Sequence, residues 1–490
     1  MSRIKALIVI LVLCVATLGV LQYTSRANTS TAPVPPHRPT LPPVVHTPPA
    51  GSPACGATNV PLTLSGALVQ DKVYGRGSRQ VSYLLTLCGG NPAGERTVAR
   101  QNVSLVLVLD RSGSMAGPKL DEAKKAAVHL IASLGPKDRF GLVTYDDRIS
   151  VDFALAPLTE ENRSRLFRIV NALGPGGSTN LGGGLATGME LLARGPRDGA
   201  ARLVLISDGL ANQGVTDPSA LADMARGAVR GEYSISAVGV GDDFDETLLA
   251  SIADSGAGRY YYLSDAARFS ETFVAELSGA RSVVAQGVAV NVPLTGGLML
   301  SDAGGYPLSV HDGRAVFHPG DIGMNESRSI ALTFTYPDYG PARIETPAVF
   351  ATYQAGGREM TARCAAGFTL ARVDTEQEAL ASVDRDRWEK TVVTSEFGAL
   401  QKKVADSIRE GKKDEALRSL DDYRQAQKAK NEILNSPAVA AHLENDVAAV
   451  EEAVAQTFAA APECAAEVRK QNAKEMQSLG YSRQKGFGRW

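Results

Sequence analysis

After Leu21 the sequence holds no apolar run long enough to span a bilayer. It has no Cys-x-x-Cys pair and its six histidines are scattered, which argues against the common zinc frameworks. There is no Gly-x-Ser-x-Gly elbow and no phosphate loop ending in Gly-Lys-Ser/Thr, and no local motif suggests a Ser-His-Asp or Cys-His arrangement. An excess of charge is missing too. With 51 basic and 53 acidic residues the formal net charge is −2, which argues against a nucleic-acid binder driven by phosphate contacts.

What is present is ordinary globular material: 44% hydrophobic and 21% charged residues, enough to build a core. At 490 residues the chain is too long for one domain and predicts roughly three or four. Residues 1–27 read as an export segment, a signal peptide or a signal anchor. Arg3 and Lys5 precede the apolar stretch Ala6–Leu21, and Ser25-Arg26-Ala27 offers small residues for cleavage. Either form sends the rest of the chain outward. The expected location is therefore extracytoplasmic, in the cell envelope or secreted, with membrane contact only through this segment if it is uncleaved. Cys14 belongs to the apolar stretch. The remaining Cys55, Cys88, Cys364 and Cys464 predict two disulfides in an exported chain, with three connectivities open.

Residues 28–57 are rich in proline (Pro35-Pro36, Pro42-Pro43, Pro48-Pro49) and predict a stiff, extended spacer. Residues 58–101 read as strands, with Val81, Tyr83, Leu85 and Leu87 in alternation, and the same texture returns over 282–372 in Val288, Val290, Val292 and Leu294. Strand-rich segments on both sides of a different domain predict one β-sandwich interrupted by an insertion.

The insertion, residues 102–281, alternates strands and helices. Strands are predicted at Val103–Leu109, Phe140–Tyr145, Leu203–Ser207 and Ile235–Val240. Leu120, Ala123, Ala127, Leu130 and Leu134 make one helical stripe, and Leu166, Ile169, Val170 and Leu173 another. Asp217-Pro218 reads as a cap followed by proline at the first helical position. The pattern predicts a doubly wound, mainly parallel α/β sheet with helices on both faces. Residues 373–480 turn helical, with Gly411-Lys-Lys413 between two helices and Ser436-Pro437 opening another. Residues 481–490 read as a basic, solvated tail.

Three pieces of the insertion carry chemistry. Asp110-Arg-Ser-Gly-Ser114 follows the first apolar strand, Gly176-Gly-Ser-Thr-Asn180 opens a helix over Leu181–Ala193, and Leu205-Ile-Ser-Asp-Gly209 ends a second apolar strand. In a doubly wound sheet, ligands bind outside the carboxyl ends of the strands where strand order reverses. If the first and third strands flank that point, Asp110 and Asp208 meet over one crevice that Thr179 can reach. Carboxylates and hydroxyls are hard oxygen ligands, suited to Mg²⁺ or a similar divalent ion. Asp146-Asp147 reads as a surface turn, and the aspartates at 242, 243 and 245 as a loop capping the helix from Glu246.

Together the three pieces resemble the metal-ion-dependent adhesion site of von Willebrand factor type A domains. The flanking architecture is similar to that of bacterial proteins grouped with inter-alpha-trypsin-inhibitor heavy chains and calcium-activated chloride-channel-like proteins. The resemblance implies that Asp110, Ser112, Ser114, Thr179 and Asp208 hold a Mg²⁺ (or Mn²⁺ or Ca²⁺), with the carboxylates acting through water. An electron-poor octahedral ion would then take an acidic side chain of a protein partner as its missing ligand. The expected function is metal-dependent protein binding, adhesion or scaffolding, without catalysis. The alternatives are a metal-dependent hydrolase using Asp110 and Asp208, and an activator subunit of an ATP-driven complex.

Overall fold

The computed structural model describes residues 60–75, 79–90, 102–196, 199–209, 211–231, 233–241, 243–263, 282–462 and 464–487. The expected export segment, the proline-rich spacer, Cys14, Cys55 and Asp242 lie outside the described residues. Three strands come first: β1 (Leu62–Leu68), β2 (Lys72–Tyr74) and β3 (Gln80–Gly89).

The α/β domain follows. Its elements are β4 (Asn102–Asp110), α1 (Pro118–Ser133), β5 (Arg139–Tyr145), β6 (Ile149–Pro157), α2 (Glu160–Ala172), α3 (Leu181–Ala193), β7 (Gly199–Ser207), α4 (Pro218–Arg230), β8 (Ser234–Val240), α5 (Glu246–Ser255) and β9 (Ala257–Leu263). The sheet runs β6-β5-β4-β7-β8-β9, parallel throughout except for β6. Residues alternate across β4 because side chains of a strand point to opposite faces in turn. Val103, Leu105, Leu107 and Leu109 share a core with α1 and α2, while Val106 and Val108 share one with α3, α4 and α5. Strand order reverses between β4 and β7, which pair directly. This is the doubly wound sheet with helices on both faces. The predicted central strands and the capped helix after Asp217 are all present. The outer strands β6 and β9 have no counterpart in the sequence reading; β6 is half solvent-facing and lacks the continuous apolar run of the buried ones.

Nine strands come next: β10 (Val283–Pro293), β11 (Met299–Ala303), β12 (Ser309–His311), β13 (Arg314–Gly323), β14 (Ser327–Thr335), β15 (Arg343–Thr346), β16 (Phe350–Ala355), β17 (Arg358–Arg363) and β18 (Phe368–Val373). They form sheets β1-β3-β14-β11, β12-β13-β10-β16-β17 and β15-β18-β2. The antiparallel pairing of β3 with β14, from Gln80 opposite Thr335 to Cys88 opposite Ser327, joins chain on either side of the α/β domain. Leu85, Leu87, Val290, Phe317 and Leu332 from these sheets share one apolar core.

Cys88 is disulfide-bonded. The expectation of a second disulfide is corrected, because Cys364 and Cys464 are free thiols. Cys364 is buried against Tyr83, whose hydroxyl donates to it at 3.6 Å. Cys464 sits apart from it, at the start of the last helix.

The helical part comprises α6 (Glu376–Leu380), α7 (Arg385–Thr391), α8 (Phe397–Arg409), α9 (Lys413–Leu434), α10 (Pro437–His442), α11 (Ala448–Phe458) and α12 (Ala465–Gln484). π-Helical turns at Val392–Glu396 and Leu443–Val447 join α7 to α8 and α10 to α11. Gly411 makes the turn before α9 with φ +74°, and the Ser436 side chain caps α10 by accepting from the Val439 amide. Helix α12 crosses the expected boundary at 480/481. The solvated tail is corrected as well, since Lys485 and Phe487 are buried. Lys485 Nζ reaches Asp254 at 2.9 Å, and the Phe487 ring packs against the guanidinium groups of Arg259 and Arg328.

Candidate metal centre

The reversal of strand order brings the candidate ligands together. Asp110 ends β4 opposite Tyr145, and Ile206 lies opposite Leu109, so Ser207 and Asp208 emerge beside Asp110. Both carboxylates are fully buried. Asp110 Oδ1 accepts from the Ser112 amide at 2.8 Å, and Oδ2 accepts from Ser207 Oγ at 2.6 Å and from the Tyr145 hydroxyl at 3.2 Å. Burial pushes the Asp110 carboxyl above the usual range; the hydrogen bonds from Ser112 and Ser207 pull it back, and the Asp208 charge pushes it up again. Two desolvated carboxylates in mutual repulsion form a locus that favours a cation.

Backbone hydrogen bonds hold the three loops in register. The Gly113 amide donates to Gly177 O at 2.8 Å and the Gly176 amide to Arg111 O at 2.6 Å, which ties the first loop to the second. The Asn212 amide donates to Thr179 O at 3.1 Å while Asn212 Oδ1 accepts from the Thr179 amide at 2.8 Å, which ties the second loop to the third. Ser112 and Ser114 hydroxyls lie 3.1 Å apart, Ser112 and Thr179 are buried, and Ser114 is exposed at the mouth.

The donor set therefore consists of carboxylate and hydroxyl oxygens. One further atom bears on the fit: Asp208 Oδ1 is buried without a hydrogen-bond partner, whereas Oδ2 lies 3.2 Å from Lys119 Nζ. A desolvated carboxylate oxygen left open costs stability unless a cation or a metal-held water meets it. The residues present suit a hard divalent ion. Among the described residues there is no group of three or more His, Cys, Asp or Glu placed to hold a metal; a site built mainly on hydroxyls does not take that form.

The reading of Asp146-Asp147 as a surface turn is corrected for Asp146. It is buried, its Oδ2 pairs with Arg111 at 2.7 Å, and its Oδ1 accepts from the Arg148 amide at 2.7 Å. Asp245 caps α5 through the Leu248 amide, as expected, and Asp243 pairs with Lys470. Tyr145, Ser207, Asn212 and Lys119 join the site only in the structure. Tyr145 carries a readable signal, standing at the carboxyl end of a predicted central strand.

The family model for the von Willebrand factor type A domain matches residues 104–275. Inter-alpha-trypsin inhibitor heavy chain H1 of Mesocricetus auratus is 33% identical over 188 residues, 36% of this chain and 21% of that protein. The uncharacterized protein YfbK of Escherichia coli (strain K12) is 28% identical over 194 residues, 39% of this chain and 33% of that protein. The matched part thus spans about a fifth of the heavy chain and a third of the bacterial relative. Among solved structures, a von Willebrand factor type A protein from Catenulispora acidiphila has a TM-score of 0.63 at 18% identity, covering 87% of this chain and 97% of that one. The ArnB paralog VWA2 from Sulfolobus acidocaldarius has a TM-score of 0.53 at 15% identity, covering 86% and 99%. At these identities the likeness is one of fold. The sheet order, the three linked loops and the sequence matches agree: residues 104–275 are a von Willebrand factor type A domain.

Proposed function

We propose that this chain is an extracytoplasmic binding protein whose type A domain, set into a β-sandwich, grips a protein partner through a divalent cation. The observation that carries the reading is the open, fully buried Asp208 Oδ1 beside the Asp110 carboxylate. Asp110, Ser112, Ser114, Thr179 and Asp208 would hold the ion. Bound there, Mg²⁺ (or Mn²⁺ or Ca²⁺) would supply a coordination position for an acidic side chain of the partner. Tyr145 and Ser207 orient Asp110, and the exposed Ser114 marks the side from which a partner reaches the crevice. Asp146, an acid packed against the second loop, is engaged by Arg111 and the Arg148 amide, so it is poorly placed to serve as the free general base of a hydrolase. The export-type residues 1–27 support a location outside the cytoplasm.

The test combines calorimetric titration of Mg²⁺ into the protein with capture of envelope proteins with and without EDTA. Wild type should bind one ion and Asp208→Ala none, and chelation should abolish capture. Capture indifferent to both EDTA and Asp208→Ala would overturn the metal bridge.

A further inference from the structure

Lys119 is the second residue of α1, the helix that follows the first metal loop. A lysine in the first turn of a helix is electrostatically unfavourable, because the helix dipole already makes that end positive. Its surroundings hold it there. The Lys119 stem fills the space above Gly241, where a β-carbon would come within 2.6 Å of Lys119 Cε, and Gly241 has φ +77°, a conformation suited to glycine. The stem leads the ammonium to Asp208 Oδ2 at 3.2 Å, and the side chain is 24% exposed while that of Asp208 is 0% exposed. The two oxygens of Asp208 thus have different surroundings, one facing a built-in cation and the other buried and open.

Resting on the metal-binding reading, we propose that Lys119 is a resident counter-charge that sets how tightly the site holds its ion and how strongly that ion demands an anionic partner. Asp110, Asp208 and Lys119 together carry a net single negative charge, to which the Arg111–Asp146 pair adds none. Lys119 takes up the charge of Asp208 at Oδ2 while Oδ1 stays available to the ion's side of the site. A divalent ion then keeps an uncompensated positive charge, and a carboxylate from outside cancels it. Without Lys119 the two aspartates would neutralise the ion by themselves. The ion would bind more tightly, and a partner's acid would gain less from joining it. The residue acts through Asp208 and tunes the site without being a ligand.

The experiment measures Mn²⁺ affinity of the full chain by calorimetry and electron paramagnetic resonance, for wild type, Lys119→Met and Lys119→Arg. Removal of a unit positive charge so close to the ion should tighten Mn²⁺ binding on the order of tenfold in Lys119→Met. Lys119→Arg, which keeps the charge, should stay within about threefold of wild type. The thermal midpoint of metal-free Lys119→Met should fall, since Asp208 loses its counter-ion, and Mn²⁺ should raise it by more than in wild type. If Lys119→Met does not fold, Lys119→Gln replaces it, with the same tightening expected. Wild-type binding with equal or weaker binding in the neutral variant would overturn the role of Lys119 and leave the metal site standing. Failure of wild type and both variants to bind Mn²⁺ would overturn the metal-binding reading itself.

Discussion

At the scale of single residues the loops of the candidate metal centre depend on close approaches that admit no side chain. A β-carbon on Gly176 would lie 1.8 Å from Asp146 Oδ2, and that carboxylate is buried in its pair with Arg111. Alanine at 176 must therefore push Asp146 aside or lift the second loop. Either movement strains the hydrogen bond from the Gly176 amide to Arg111 O, which carries the first loop. Gly176→Ala should cost about 1–3 kcal/mol, the usual range for overpacking a filled site. It should also weaken Mg²⁺ binding, because Ser112 and Thr179 sit on the two loops being parted. Urea unfolding with and without Mg²⁺ checks both effects, and unchanged stability in both conditions would contradict the packing argument. The same scale shows what sequence can carry. The motifs around Asp110, Thr179 and Asp208 are local strings at the ends of apolar strands and were readable as such. Lys119 and Asn212 act through distances that only the folded loops create, and nothing in their immediate neighbours announces them.

At the scale of elements, legibility follows burial pattern. Strands β4 and β7 are buried on both faces and carry apolar runs over residues 105–109 and 203–206. Strand β8 is buried throughout although Ser234, Ser236 and Gly239 interrupt its apolar residues, and α1 buries a regular stripe of Leu120, Ala123, Ala127 and Leu130. Helix α12 buries Asn472, Lys474 and Arg483 along with Ala473 and Met476, so its inner face is not an apolar stripe and no periodicity marks it. Its polar residues dock it on the type A domain. Lys474 donates to the Phe244 carbonyl and pairs with Glu246, and its ammonium lies 4.0 Å from the Phe244 ring centroid. Arg409 of α8 reaches the same Glu246, and Lys470 pairs with Asp243 one residue before Phe244. Lys474→Ala would leave Glu246 buried with Arg409 as its remaining partner. Removing one member of a buried pair typically costs about 3–5 kcal/mol, and the second cation should keep the loss near the lower end of that range. Chemical denaturation measures it. Lys474→Met, which keeps the stem over Phe244, should recover part of the loss; no recovery would mean that the charge alone matters.

At the scale of the whole molecule, the contacts of β9, β14 and the last residues fasten the type A domain to the antiparallel sheets. Glu326 is one of the carboxylates at this junction, with Asp321, which pairs with Arg202, and Asp254, which pairs with Lys485. Glu326 accepts from the Gly323 amide at 2.8 Å and pairs with Arg328, and Arg259 of β9 approaches it at 3.9 Å. Both guanidinium groups also lie over the Phe487 ring, at 4.3 Å from its centroid for Arg259 and 4.9 Å for Arg328. Burial pushes the Glu326 carboxyl up, but Arg328 and Arg259, with the Gly323 amide, outweigh it and hold the group below the ordinary glutamate range. A carboxyl with a lowered folded-state pKa binds fewer protons when folded than when unfolded. It therefore contributes its full stabilisation above the unfolded value of about 4.3 and loses it as the pH falls through the lower, folded value. Glu326→Gln should accordingly be less stable than wild type at pH 7, because two cations lose their shared carboxylate. The difference should shrink as the pH falls below about 4, where the wild-type carboxyl also becomes neutral. Unfolding free energies of the two proteins from pH 7 to pH 3 test the sign: a gap that widens toward acid would place the stabilising charge elsewhere.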